Sequence, residues 1–87
     1  MMEHVEAAWA TRCACLGDKL VLLAVASAAD EEGRCRLVPK ELAPRVGMSP
    51  ARVDGALAGL HRDGLVRARR WDDTGAWSVA LLLEGAR

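Results

Sequence analysis

The chain of 87 residues contains no Phe, Tyr, Ile, Asn or Gln, and aromatic side chains make up only 3% of it. Without Phe, Tyr or Ile, the core must be built from Leu, Val and Ala together with the three Trp residues, a composition suited to close packing of short helices. The missing Asn, Gln and Ile, beside abundant Ala, Gly and Arg, read as the codon bias of a GC-rich genome. Long hydrophobic runs are missing too: the longest, Leu20 to Ala29, falls far short of the ~20 residues that cross a bilayer. The opening Met1-Met2-Glu3-His4-Val5-Glu6 has acids where a secretory leader carries Lys or Arg, so a cytoplasmic protein without membrane association is expected. Cys13, Cys15 and Cys35 are an odd set, which excludes a full disulfide framework and points to reduced thiols. There is no Gly-rich phosphate loop, no His-Glu-x-x-His run, and no nucleophile, base and orienting acid at a readable spacing. The expectation is a protein that does no chemistry and takes no cofactor.

What is present is an uneven charge distribution behind a formal net charge of zero. Residues 1–33 set Arg12 and Lys19 against six acids, a net charge of −4. Residues 34–71 set nine basic side chains against Glu41, Asp54 and Asp63, a net charge of +6. Residues 72–87 return −2. One surface of the folded chain can therefore meet phosphates while another repels them.

Hydrophobic 52%, charged 28%, without internal repeats or low-complexity tracts, the chain reads as one domain over 1–87. Val5, Trp9, Cys13 and Leu16 recur three or four apart, the spacing of one helical face, which predicts a first helix over about 1–16. Gly17 can close it and Asp18 can cap a second, nearly all-apolar helix through Lys19 to Ala29, the expected central helix. Asp30-Glu31-Glu32-Gly33 reads as an exposed turn, and Arg34-Cys35-Arg36-Leu37-Val38 as a short strand. Pro39 suits a first helical position, Gly47-Met48 a tight turn, and Ser49-Pro50 the cap and first residue of a further helix to about Arg62. That is a helix-turn-helix. Val53, Ala56, Leu57 and Leu60 face inward on its second helix, which Gly64 stops. Leu65 to Trp71 and Trp77 to Leu83 pair as a hairpin across Asp72-Asp73-Thr74-Gly75. The expected class is mainly α with a small β-hairpin, in the order α-α-β-α-α-β-β of a winged helix-turn-helix, with residues 18–83 as core motif.

Glu41-Leu42-Ala43, Gly47-Met48-Ser49, Val53, Ala56-Leu57, Leu60 and Asp63-Gly64-Leu65-Val66, after Lys19 to Ala24 and Asp30 to Cys35, carry a resemblance over about Asp18 to Leu83. The stretch resembles winged-helix DNA-binding domains, nearest to phage- and plasmid-type replication and regulatory proteins of actinobacteria and more loosely to MarR-like repressors. The pattern is specific for the fold and weak for any one function. The resemblance implies that the helix opening at Ser49 enters the major groove and that the hairpin touches the DNA backbone.

The candidate residues follow from these placements. Outward positions of the second motif helix are Ala51, Arg52, Asp54, Gly55, Ala58 and Gly59. Of these Arg52 suits a guanine, while Asp54 repels phosphate unless it accepts from a cytosine amino group. Ala51, Gly55 and Gly59 form a smooth ridge for close approach to DNA or protein, or simply reflect an Ala-rich sequence. Arg67, Arg69 and Arg70, with Trp71, form the densest basic cluster, suited to phosphates. Arg36, Lys40 and Arg45 flank the first helix of the motif. Val5, Trp9 and Leu16 are the expected homodimer interface. Cys13 and Cys15, two apart on a helix, would fall on different faces, so packing rather than metal binding is expected of them, of Cys35 and of His4 and His61. The function expected is a DNA-binding transcriptional regulator or mobile-element accessory factor acting on double-stranded DNA as a homodimer. The alternative, favoured by zero net charge, Asp54 and the bland ridge, is a protein-protein interaction module, an adaptor or inhibitor without DNA binding.

Overall fold

The structure, a computed structural model, describes residues 2–70 and 75–83. Four helices, α1 (Met2–Ala10), α2 (Leu16–Ala28), α3 (Pro39–Val46) and α4 (Pro50–Arg62), combine with three strands, β1 (Arg34–Leu37), β2 (Val66–Arg70) and β3 (Trp77–Leu81). The fold is a mixed α/β one with an antiparallel sheet ordered β1-β3-β2. The element order is the α-α-β-α-α-β-β expected, and β1 does not stand apart but extends the hairpin into a three-stranded sheet. Trp71, the expected end of the first hairpin strand, and Asp72 to Thr74 of the expected turn lie outside the described residues.

α2 is the central helix, touching α1, α4, β1 and β3, with Val21, Leu22, Val25 and Ala26 buried. Val53, Ala56, Leu57 and Leu60 of α4 close on it from one side, at the spacing read from the sequence. Leu37, Val66, Trp77, Val79 and Leu81 supply the covered face of the sheet. Among the described residues the core is aliphatic apart from Trp77, and Trp9, expected to help build it, is 64% exposed.

The first helix is shorter than expected. α1 stops at Ala10, Leu16 and Gly17 belong to the first turn of α2, and the cap position of α2 is Cys15 rather than Asp18. The physical reason lies in Lys19, whose ammonium donates to the carbonyls of Ala8 (2.8 Å), Trp9 (2.7 Å) and Thr11. Ala8 and Trp9 are among the last residues of α1, whose carbonyls lack the usual amide four residues on, although Ala8 O also accepts from the Thr11 amide at 3.2 Å, and a cation there complements the helix dipole. Thr11 Oγ1 adds a bond to Ala7 O at 2.7 Å. Asp18, in the first turn of α2, sits where a carboxylate favours a helix start. Cys13 and Cys15 accordingly lie in the link between two helices, not on one helix.

A second feature was not foreseen. His4 is 3% exposed and its Nε2 lies 2.9 Å from Asp30 O, fastening α1 to the turn that feeds β1. The Asp30 carboxylate accepts from the amides of Glu32 (2.9 Å) and Arg34 (3.0 Å), the Asp30 amide donates to Arg34 O, and Gly33 O accepts from Leu81 N at 2.8 Å. What reads in sequence as a solvated acidic turn is a hydrogen-bonded corner of the sheet.

Candidate nucleic-acid interface

The α3-turn-α4 unit is built by local chemistry. Pro39 opens α3, where no amide partner is lost. Gly47 ends it with φ +72°, its amide donating to Ala43 O, a left-handed cap that a Cβ disfavours. Ser49 then takes an extended conformation and its Oγ accepts from the Arg52 amide at 3.2 Å, with Pro50 as first helical residue. A methyl group placed on Gly17 would sit 3.4 Å from Met48 Sδ and 3.5 Å from the Arg52 guanidinium, so the start of α2 lies directly beside this turn.

Exposed positions of the unit include Lys40, Glu41 and Arg45 on α3, of which Glu41 and Arg45 border the cleft against α2 and β1, and Ser49, Ala51, Arg52, Gly55 and Ala58 at the cap and along α4. Space beyond Gly55 is open. Gly59 is not part of the free ridge: it is buried, and a Cβ there would meet the Asp18 carboxylate at 3.4 Å. The ridge of small residues therefore ends at Gly55.

Asp54 is engaged inside the molecule. Trp77 Nε1 donates to its Oδ1 at 2.8 Å, and the Arg70 guanidinium lies 4.0 Å from Oδ2. The indole has no other role for its donor when buried, and the carboxylate needs a partner when half-buried. One contact satisfies both and ties α4 to the hairpin. The carboxylate that reads as an obstacle to phosphate is thus turned toward the sheet.

The hairpin arginines do not share one side. Successive strand residues point to opposite faces. Val66, Ala68 and Arg70 pair with Leu81, Val79 and Trp77 on the face covered by helices, while Arg67 and Arg69 pair with Ala80 and Ser78 on the other. Arg34 and Arg36 of β1 face the same two β3 residues from the other edge. The sheet therefore separates Arg67 and Arg69 from α4 and leaves only Arg70 beside it. Arg36 lies on β1, within the strand expected over Arg34 to Val38, and borders an open cleft between α2, β1 and α3 shared with Arg45.

The expected self-association residues also divide. Val5 is half-buried against the core, whereas Trp9 is 64% and Leu16 83% exposed. Lys19 Nζ stands 6.0 Å from the Trp9 ring centroid, so one face of that indole is taken by a cation.

Burial pushes the Cys35 thiol up to about 11 and also raises that of Cys13. Among the described residues, no group of three or more His, Cys, Asp or Glu side chains is placed to hold a metal ion, and no helix is long and apolar enough to cross a membrane. No protein-family model, curated protein or solved structure matches the chain. A functional reading rests on the geometry.

Proposed function

We propose that the chain is a winged-helix protein that binds double-stranded DNA without catalysis, with α4 as the helix that enters the groove. The observation that carries this reading is the Ser49-capped helix standing after a Gly47 turn, its outward side bearing Arg52 among small residues and its one acid, Asp54, drawn away by Trp77 and Arg70. Small side chains let a helix backbone approach a groove closely, and Arg is the side chain best shaped for a guanine edge or a phosphate. Lys40 and Arg45 on α3 supply flanking cations for the backbone. The element order and the β1-β3-β2 sheet are those a winged helix needs. A pair of chains joined through exposed Trp9 and Leu16 would double the contacts and match a two-fold site, as a transcriptional regulator or mobile-element accessory factor requires.

The test is binding to mixed-sequence duplex followed by fluorescence anisotropy over a range of salt. Replacing Arg45 and Arg52 by Ala is expected to flatten the dependence of log affinity on log salt by about 1.8, because each lost phosphate contact removes about 0.9. Unchanged affinity and slope in that variant would reject the α4 surface.

The rival is a protein-docking module, favoured by the apolar exposure of Trp9, Leu16 and Leu20 and by the net charge of zero. It expects no salt-dependent binding of duplex at all.

A further inference from the structure

The face of the sheet turned away from the helices carries a second arrangement of charge. On the middle strand β3 that face shows only Ser78 and Ala80. Arg34 and Arg67 flank Ala80 from the two edge strands, and Arg36 and Arg69 flank Ser78. Strand spacing sets the two rows of arginines about 9.6 Å apart, and the residue rise sets the members of each row about 7 Å apart. All four are exposed, and none forms an ion pair with a described residue, in contrast to Arg70, which has Asp54. Four cations on one short sheet face, none in an ion pair with a described residue and only Arg34 within electrostatic reach of a described acid, Asp30, give that face a positive potential. Their common arrangement is a flat lane with a small-residue floor and guanidinium groups along both margins.

We propose that this face binds the phosphate backbone of a second DNA duplex, so that one folded chain bridges two duplexes, one on α4 and one on the sheet. The inference rests on the reading of α4 as the groove-entering helix. Guanidinium forks match phosphate oxygens in pairs, and a lane without deep pockets accepts a ridge of phosphates. No aromatic ring or side-chain amide lies among the six residues of the face, so it has nothing to stack on a base or to read one. Contact is to the backbone alone and independent of sequence. An acidic protein partner would instead call for an apolar centre inside the charged rim, whereas only Ser78 and Ala80 stand between the arginines and the exposed Leu82 follows two residues beyond the Ala80 row. Because the covered side of the sheet is where Asp54 of α4 meets Trp77, a straight duplex seated on α4 lies across the sheet from this lane.

The experiment uses the full chain, a bead-bound duplex and a second, fluorescent duplex of unrelated sequence. Wild-type protein is expected to carry the fluorescent duplex onto the beads, and about a twofold rise in salt should weaken that capture about tenfold, the response for four phosphate contacts. The variant R34Q/R36Q/R67Q/R69Q is expected to lose capture at least about tenfold while single-duplex affinity stays within about threefold, with melting no lower than wild type as the folding control. Capture that survives in this variant means that bridging comes from two α4 copies and overturns the proposal. Equal loss of single-duplex and bridging activity places the arginines in the first site and overturns it as well. Wild-type binding of one duplex with no capture of a second rejects the lane but leaves the α4 reading standing, and no duplex binding at all rejects both. Retention of polyglutamate in place of the second duplex assigns the lane to acidic polypeptides and overturns the proposal.

Discussion

Between α1 and α2 the chain spends five residues on its turn, and between α3 and α4 only three. The longer junction has no side-chain cap: Cys15 stands at the cap position of α2 without a cap bond, and the carbonyls at the end of α1 are gathered by the ammonium of Lys19 reaching back from the next helix. The shorter one is written in adjacent residues, Gly47 for the left-handed cap and Ser49 with Pro50 for the restart. One junction depends on a charge brought from a distance, the other on backbone preferences that act before any tertiary contact forms. A junction of the first kind fails when its distant partner is lost, and one of the second kind loses a fraction of its stability with each local change.

The largest effect should come from the first junction. Lys19→Met keeps the aliphatic stem and removes a cation that serves Ala8, Trp9 and Thr11 carbonyls. Hydrogen bonds to a charged group contribute about 1.5–3 kcal/mol, and with partial exposure the loss is expected near 2 kcal/mol for the set. For a domain of this size that is a fall in Tm of about 10 °C. A fall of under 2 °C would mean that the junction holds without Lys19 and would collapse the contrast with α3-α4.

Single changes at the second junction should do less. Gly47→Ala forces a Cβ into a left-handed position at a cost of about 1–2 kcal/mol, with nothing nearby to clash. Ser49→Ala removes the bond from its Oγ to the Arg52 amide and costs about 1 kcal/mol. Chemical denaturation of both variants measures these values, and a cost for Ser49→Ala equal to that of Lys19→Met would erase the difference between the two junctions.

The same difference explains what sequence reveals. The cap residues of α4 and its inward Val53, Ala56, Leu57 and Leu60 obey rules that span four residues, and all appear where the pattern placed them. The end of α1 depends on a lysine eight to eleven residues ahead, and a run of Val5, Trp9, Cys13 and Leu16 at helical spacing suggests a continuous helix in its absence. Asp54 meets Trp77 across 23 residues, so its role as a clamp is invisible in a window around α4. The division of the arginines follows from the alternation of strands, yet it becomes a surface only when β1 is known to pair with β3 and bring Arg34 and Arg36 level with Arg67 and Arg69.

The smallest effect lies at the corner where His4 fastens α1 to the sheet. The amide of Arg34, then that of Glu32, donates to the Asp30 carboxylate and holds its pKa below the ordinary aspartate value. A carboxyl whose folded pKa is depressed stabilises the fold above its unfolded pKa, and that contribution is lost as pH falls through the folded value. Wild type should therefore exceed Asp30→Asn in Tm at pH 6, and the gap should narrow below about pH 3.9, the unfolded aspartate value. Asn keeps one acceptor oxygen for the two amides, which isolates the charge from the hydrogen bonds. A gap that stays constant from pH 6 to pH 2.5 would show that the corner uses only the geometry of its acceptor. It would then belong with the locally coded α3-α4 turn rather than with the charge-held end of α1.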